Sequence, residues 1–390
     1  MTERDDTTSQ TSSTIGRRRF IATTGVSVAA VTGIAGCLGD DGDSTPIAEV
    51  DPMAQEIDST AVSWDDLGDL EGEITIYSGR TPDQISPVFE AIEDEYDDLT
   101  VSVDYDDNDV QVNQILEEQT HPADLMYSQD PGALNELHNN DVLQALPDDV
   151  IDAVPDSYQH NEGYWTGVTG RTRSIQYNSD RLDETGLDSW DDLPTDIMEY
   201  AYDDRLQGVI STRPNSGTFR GFIQAMVELE GENDTREWVS AMADEQDAEL
   251  FTGGSDQAAA VNQGGDDDPV VGLGNSYYAA RILNEDPDAP IRTTYTENDA
   301  GCLFSVAGVG VLNDVNDPEL VAEFVRHLLA EEGQEFMMEA NGEYPVIEDI
   351  DYVGPLPDLE EINPPEFDLS EFDMDLQDAA DLIDEEGMGV

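Results

Sequence analysis

The strongest constraint on the fold is an alternation of strand and helix patterns that begins at Glu73. Residues 73–77 alternate polar and apolar side chains as a strand does, and residues 85–92 carry apolar side chains at helical spacing. Further strands are predicted at 100–105 and 123–127. This order is typical of a parallel α/β sheet, in which ligands bind at the loops after the strands. We therefore expect a cleft lined by these loops, with the residues Ser78, Gly79, Arg80, Thr81, Gln129 and Asp130.

The surface charge restricts the possible partners. The chain has 90 acidic and 15 basic residues, for a net charge of −75, and every basic residue is arginine. Molar salt screens such self-repulsion, so the composition indicates a protein adapted to high salt. A hydrophobic content of 38% is too high for a disordered acidic chain. Nucleic acid and anionic lipid are excluded as partners because both would repel this charge.

Residues 1–37 resemble an export signal. Arg17 and Arg18 fit a twin-arginine motif, and the stretch that ends at Cys37 fits a lipobox whose cysteine is lipidated. The alternative is a membrane-spanning anchor, but the apolar run is short for one. We expect a protein that is lipid-anchored on the outer face of the cell membrane, followed by an acidic flexible tether at residues 38–71.

Cysteine and histidine patterns argue against an enzyme. With Cys37 lipidated, Cys302 is left alone in an apolar run, which favours a buried thiol over a nucleophile. The four histidines are far apart in sequence, and the chain contains neither an HExxH nor a GxSxG motif. We predict a binding protein that makes and breaks no bond.

Two segments could bind an anion. Arg171 and Arg173 lie two apart on a predicted strand and therefore share a face. They are either ion-pair partners or an anion site. The polar loop at residues 214–219 leads into a helix, where it is either an ordinary N-cap or a cradle of backbone amides for an anion.

Adjacent tyrosines form the most distinctive local feature. Tyr277 and Tyr278 begin a helix directly after the buried strand pattern of residues 270–274. Phenolate oxygens are hard donors that suit ferric iron, and a trivalent cation can displace their protons. The alternative is that one ring packs in the wall between two lobes while the other lies on the surface.

From about Glu73 to Val390, the chain resembles the ferric-iron-binding proteins of ABC importers, a branch of the periplasmic-type solute-binding superfamily. The matching segments occur in the family's order at residues 74–80, 122–125, 129–134, 170–173, 215–219, 275–278 and 341–345.

The resemblance implies an α/β fold of the periplasmic-binding-protein type II, with two lobes and a ligand cleft between them. It assigns Tyr277 and Tyr278 as ligands of Fe(3+). The contacts to a synergistic anion become Ser216, Gly217, Thr218, Asn275, Arg171 and Arg173. The expected domains are lobe 1 (72–174 and 302–335), lobe 2 (175–301) and a C-terminal helical segment (336–390) that packs on the lobes.

This chain departs from the family at two ligand positions. Some members have a histidine after the first strand and a glutamate after Pro-Ala-Asp, where this chain has Thr81 and Gln129. Two phenolates leave about four of six octahedral positions to anion, water or an unrecognised carboxylate such as Asp130. The bound species could therefore be a ferric chelate.

The expected function is capture of ferric iron, or of a ferric chelate, and its delivery by a monomer to the membrane permease of an ABC transporter. Release would be favoured by reduction of the iron or by protonation of the tyrosines. The alternative is the same fold with an oxyanion or a small organic solute, such as a phosphonate, sulfate or thiamine, held by Arg171 and Arg173.

Overall fold

The computed structural model describes residues 45–57, 62–117, 122–313, 315–365, 369 and 376–389. The predicted export signal and Cys37 lie outside these residues. No helix in the described part of the chain is long and apolar enough to cross a membrane.

Strands in the described part of the chain join into one continuous hydrogen-bonded path. They are β1 (Gly72–Ser78), β2 (Leu99–Tyr105), β3 (Leu125–Ser128), β4 (Leu143–Gln144), β5 (Thr166–Asn178), β6 (Ile210–Thr212), β7 (Glu249–Leu250), β8 (Val271–Asn275), β9 (Ile291–Thr294), β10 (Phe304–Leu312) and β11 (Tyr344–Pro345). The main order is β2-β1-β3-β10-β5-β8-β6-β7, with β4, β9 and β11 attached at the sides. Pairing is parallel in β2-β1-β3 and in β8-β6-β7, as the alternating pattern predicts.

Helices connect most of these strands. They are α1 (Pro82–Glu95), α2 (Asn108–Glu117), α3 (Pro131–Asn139), α4 (Asp148–Asp152), α5 (Gly217–Glu230), α6 (Glu232–Asp244), α7 (Gly254–Gln263), α8 (Ser276–Glu285), α9 (Pro318–Leu329), α10 (Glu331–Asn341) and α11 (Leu376–Glu385). Local signals explain where they begin. At α1 the amide of Thr81 donates to Gln84 Oε1 at 3.0 Å, and Pro82 occupies the first turn, where its missing N–H costs nothing.

Two large hydrophobic cores define two lobes, as predicted. Lobe 1 has the core beneath β1, β3 and β10, and lobe 2 has the core between β8 and helices α5 and α6. Strand β5 belongs to both, because Thr172 pairs with Phe304 of β10 while Arg173 pairs with Asn275 of β8. The middle of β5 therefore lies where the two lobes meet.

The segment expected to be a flexible tether is packed against lobe 1 from residue 45 onward, with a gap in the description at 58–61. Ile47, Leu67 and Leu70 are buried in the lobe 1 core. Trp64 Nε1 donates to the carbonyl of His327 at 2.9 Å. The prediction of flexibility was wrong for these residues. Their apolar side chains have no periodic spacing in the sequence, but they pack against α9 and α10.

The C-terminal segment divides between the lobes. Helix α10 packs against α1, and β11 pairs with β5. Helix α11, which lies in the predicted C-terminal helical segment, packs on α5 and α6, and Ala379 and Leu382 lie in the lobe 2 core.

Candidate functional site

A small cavity of about 30 Å³ lies between the lobes, where the middle of β5 meets the first turns of α3 and α5. Its lining brings together five of the residues singled out from the sequence, and its other members come from both lobes. The predicted residues are Asp130, Arg171, Arg173, Thr218 and Asn275, of which Asp130 was predicted only as a cleft residue or possible metal ligand.

The two arginines of β5 carry charges that no carboxylate neutralises directly. Among the described residues, neither Arg171 nor Arg173 has a carboxylate within ion-pair distance. Arg171 donates through Nη2 to the carbonyl of Gln129, but its buried Nη1 has no partner in the described part of the chain. Burial lowers the pKa of Arg173 to about 9, and its guanidinium lies 4.3 Å from the ring centre of Phe222. The described residues thus form no direct ion pair with either arginine, which favours the predicted anion site, and an anion would satisfy Arg171 Nη1.

The predicted polar loop caps α5. Ser216 Oγ accepts from the amide of Phe219 at 3.2 Å, so the N-cap interpretation is correct. Asn275 Nδ2 donates to Thr218 Oγ1 at 3.1 Å and so connects the end of β8 to this turn. The amides of Gly217 and Thr218 donate to no group in the described part of the chain. The cap thus leaves an open anion-binding end on the helix.

Tyr277 and Tyr278 lie side by side in the first turn of α8. Their ring centres are 4.2 Å apart, and Tyr277 is buried with no hydrogen-bond partner for its Oη among the described residues. Burial raises the pKa of Tyr278, and the adjacent Tyr277 phenol raises it further. Tyr278 therefore stays protonated at neutral pH unless a strong cation displaces the proton.

Arginines surround this tyrosine pair. Arg213 Nη1 donates to Tyr278 Oη at 3.4 Å, and Arg281 lies 5.3 Å from the ring centre of Tyr277. Arg171 is also near: burial lowers the pKa of its guanidinium, while Glu343 and the Tyr277 phenol oppose that shift. Arg213 and Arg281 oppose the rise in the pKa of Tyr278, and their positive charge attracts anions.

The loop after β1 contributes a buried ion pair. Arg80 Nη2 donates to both carboxylate oxygens of Glu343 at 2.9 Å, and Glu343 also accepts from Thr169 Oγ1 at 3.0 Å. Burial opposes the charge on Arg80, but the neighbouring groups, led by Glu343, together outweigh that effect and raise its pKa. Arg80 is thus neutralised within the protein, unlike Arg171 and Arg173.

The remaining predicted cleft residues are explained by local hydrogen bonds, packing or exposure to solvent. Ser78 is buried and its Oγ accepts from the amide of Arg80 at 3.0 Å. Gly79 leaves room for Asn108, whose Oδ1 would lie 1.5 Å from a Cβ built on it. Thr81 is exposed and Gln129 is half-buried, so neither has the buried, unpartnered polar atom found at Tyr277.

Metal binding at this cleft would depend on the phenols. In the described ranges, no three His, Cys, Asp or Glu side chains lie together as a metal site. Cys302 is fully buried, as predicted, and its thiol donates to the carbonyl of Asp299 at 3.4 Å. Tyr277 and Tyr278 do not line the small cavity, but they remain the hard donors singled out from the sequence, and other coordination positions would be left to an exogenous ligand.

Three residues that contact predicted site residues were not singled out from the sequence. Gly254, the first residue of α7, lies against the Tyr278 ring so closely that a Cβ built on it would be 2.3 Å from Cε2. Glu343 and Arg213 are separated from their partners by 263 and 65 residues. No local pattern reveals such contacts. Glu343 does lie within residues 341–345, a segment that resembles the family, and this resemblance was the available sign that the residue belongs to the site.

Comparison with known proteins agrees with this architecture. The family model described as bacterial extracellular solute-binding protein matches residues 120–370. Iron uptake protein A2 of Synechocystis sp. is 24% identical over 237 residues, which cover 58% of this chain and 65%, less than two thirds, of that relative. The major ferric iron-binding protein of Neisseria meningitidis serogroup A is 26% identical over 283 residues, or 70% of this chain and 81% of that protein.

A solved structure shows the same fold. The crystal structure of iron-bound HitA from Pseudomonas aeruginosa superposes with a TM-score of 0.73 at 25% identity, and the match covers 81% of this chain and 99% of that one. The two cores, the shared strand β5 and the family match lead to one assignment. The chain belongs to the family of bacterial extracellular solute-binding proteins.

Proposed function

We propose that this protein captures ferric iron in the cleft between its lobes and that Tyr277 and Tyr278 are the protein ligands. The observation that carries the proposal is the pair of adjacent phenols, one of them buried with an unpartnered oxygen, beside several arginines. The names of the relatives in Synechocystis and Neisseria, and the iron-bound HitA structure, support iron over other solutes.

A synergistic anion completes the site in this proposal. Two phenolates leave one positive charge on Fe(3+), and Arg171 and Arg173 add two more without a carboxylate partner. An anion bound to the iron would reduce this charge and accept hydrogen bonds from Arg171 Nη1 and the amides of Gly217 and Thr218. Because few protein donors are present, the cargo can equally be a ferric chelate that brings its own anionic ligands.

The biological role in this proposal is transport. The lobes close on the cargo, and the closed monomer docks on the permease of an ABC importer at the outer face of the membrane, where a lipid on Cys37 holds it. Closure requires that the cargo bind the closed form more tightly than the open form. No covalent bond in a substrate changes, so the protein is a carrier and not an enzyme.

The test is a titration of the purified protein with ferric citrate in molar salt, followed by visible absorption. We expect a saturable phenolate-to-iron band that is lost in the Tyr277→Phe, Tyr278→Phe double variant. Tyr202→Phe is the matched control, because Tyr202 is half-exposed and lies beside Met198 and Arg205 in a different surface pocket of lobe 2. A folded wild-type protein without this band would refute iron binding through the tyrosines.

A second candidate is an oxyanion or small organic solute in the same cleft. The unpaired Arg171 and Arg173 favour it, since both could bind an oxyanion without any metal. Tight binding of phosphate, sulfate or a phosphonate with no visible iron band would select this function. Thiamine, a cation, fits these arginines less well than an oxyanion does.

A further inference from the structure

Asp130 of lobe 1 reaches across the cleft to the first turn of α5 in lobe 2. A Cβ built on Gly217 would lie 3.2 Å from Asp130 Oδ2, so the carboxylate is in close contact with that turn. Asp130, Arg171 and Thr218 line the same cavity. The carboxylate is therefore adjacent to the groups that an incoming anion would use.

The Asp130 side chain is fixed in this position. Its Oδ1 accepts from the amide of Ala133 at 3.4 Å as the N-cap of α3, and its Oδ2 accepts from Asn108 Nδ2 at 2.7 Å. Its own amide donates to Ser128 Oγ at 3.2 Å, and the residue is only 7% exposed. Such a carboxylate cannot turn away into solvent when the lobes are closed.

The opposite side of the cavity attracts negative charge. Helix α5 directs the amides of Gly217 and Thr218, which have no partner in the described residues, toward the cavity end of the helix. Arg171 is 3% exposed and its Nη1 is unpartnered. An anion subsite is therefore present, and a carboxylate of the protein already lies beside it.

We propose that Asp130 is a built-in counter-anion that sets the charge selectivity of the cleft. It disfavours free inorganic oxyanions, whose charge it repels, and leaves room for a metal–anion complex whose net charge is less negative. The identity of the favoured cargo rests on the proposed function. The repulsion of free oxyanions by Asp130 does not depend on iron binding. It names Asp130 as a residue that excludes competing ligands and not as a metal ligand.

Calorimetric titration with inorganic phosphate alone tests this role. We expect Asp130→Asn to bind phosphate at least about tenfold more tightly than the wild type, because like charges placed together in an interface are strongly unfavourable. Asparagine caps a helix as well as aspartate does, so α3 should be retained. Molar salt screens charges at the surface more strongly than it screens the buried charges of Asp130 and a bound phosphate. The difference in phosphate affinity should therefore persist in molar salt.

The matched control is Glu90→Gln, which removes one charge from an exposed position of α1 in the same lobe. It should leave phosphate affinity unchanged. Asp130→Ser is a second variant that also keeps a capping side chain, and both Asp130 variants are checked by thermal unfolding. Unchanged or weaker phosphate binding in the folded variants, or none at all, would overturn the proposal. Failure of the iron titration alone would refute the proposed cargo and leave this phosphate result standing.

Discussion

A single methyl group at Gly254 is expected to disrupt the metal site without disrupting the fold. A Cβ built there would lie 2.3 Å from Cε2, 2.4 Å from Cζ and 2.7 Å from Oη of Tyr278, whereas ordinary contact begins at 3.4 Å. In Gly254→Ala the ring must therefore move by 3.4 − 2.3 = 1.1 Å or α7 must shift. The ring is the far end of a flexible side chain and moves more easily than the backbone of α7, so the phenol oxygen is displaced along with it.

The magnitude follows from the tolerance of metal coordination. Metal–ligand distances vary by only about 0.2 Å, and misplacing a reacting group by about 1 Å can cost roughly a hundredfold. We expect the iron affinity of Gly254→Ala to fall about tenfold to a hundredfold, or about 1.4 to 2.7 kcal/mol. Stability should change little, since Gly254 has no positive φ and alanine suits a helix.

The assay is the ferric citrate titration together with thermal unfolding. Ser255→Ala is the control, because Ser255 is exposed in the same turn of α7 and changes the helix without touching the ring. Tyr278→Phe should lose affinity in the same way as Gly254→Ala. A Gly254→Ala protein with wild-type affinity and an unchanged absorption band would show that the position of Tyr278 does not control iron binding.

Three further predictions concern the buried charges. Arg173→Met should stabilise the unliganded protein by about 1–3 kcal/mol, because it removes a buried charge that has no carboxylate partner. The same substitution should weaken ferric citrate binding at least about tenfold. Thermal unfolding measures the first effect and titration the second, and a less stable variant would contradict the reasoning. Glu343→Gln should destabilise the fold by about 3–5 kcal/mol in denaturant unfolding, since it leaves Arg80 buried without a charged partner, and an unchanged midpoint would count against this. His327 forms a hydrogen bond with Tyr96 Oη at 2.9 Å, and burial lowers the pKa of its imidazole in the folded protein below the ordinary value of 6.5. Below pH 6.5 the unfolded chain therefore binds a proton at His327 more readily than the folded protein does. The free energy of unfolding should therefore decrease as pH falls from about 6.5, and His327→Gln should weaken that dependence.

Local sequence patterns predicted individual strands and helix starts, because the residues that determine these elements are close together in the sequence. The alternation at residues 73–77 became β1, and the buried run before Tyr277 became β8. Polar caps such as Ser216 gave the start of α5. The two-lobed fold itself came from the resemblance, since the periodicity of one segment does not say which strands become neighbours.

Residues 45–71 show why the remainder could not be predicted. Their apolar side chains have no regular spacing, and their partners are remote: Trp64 bonds to His327, 263 positions away. The pair formed by Arg80 and Glu343 has the same separation. Contacts of this kind depend on how α9 and α10 pack, which no local pattern contains. The contact between Gly254 and Tyr278 was missed for the same reason.

The sharing of β5 between both lobes limits how the protein can be divided by engineering. A fragment with residues 175–301 alone would lack Arg173, which pairs with Asn275, and would lack α11, which covers α5 and α6. Its apolar surface would be exposed, and we expect such a fragment to aggregate when it is expressed separately. Biosensor designs should therefore keep the chain intact and place reporter groups on exposed positions of each lobe, such as Glu90 and Tyr202.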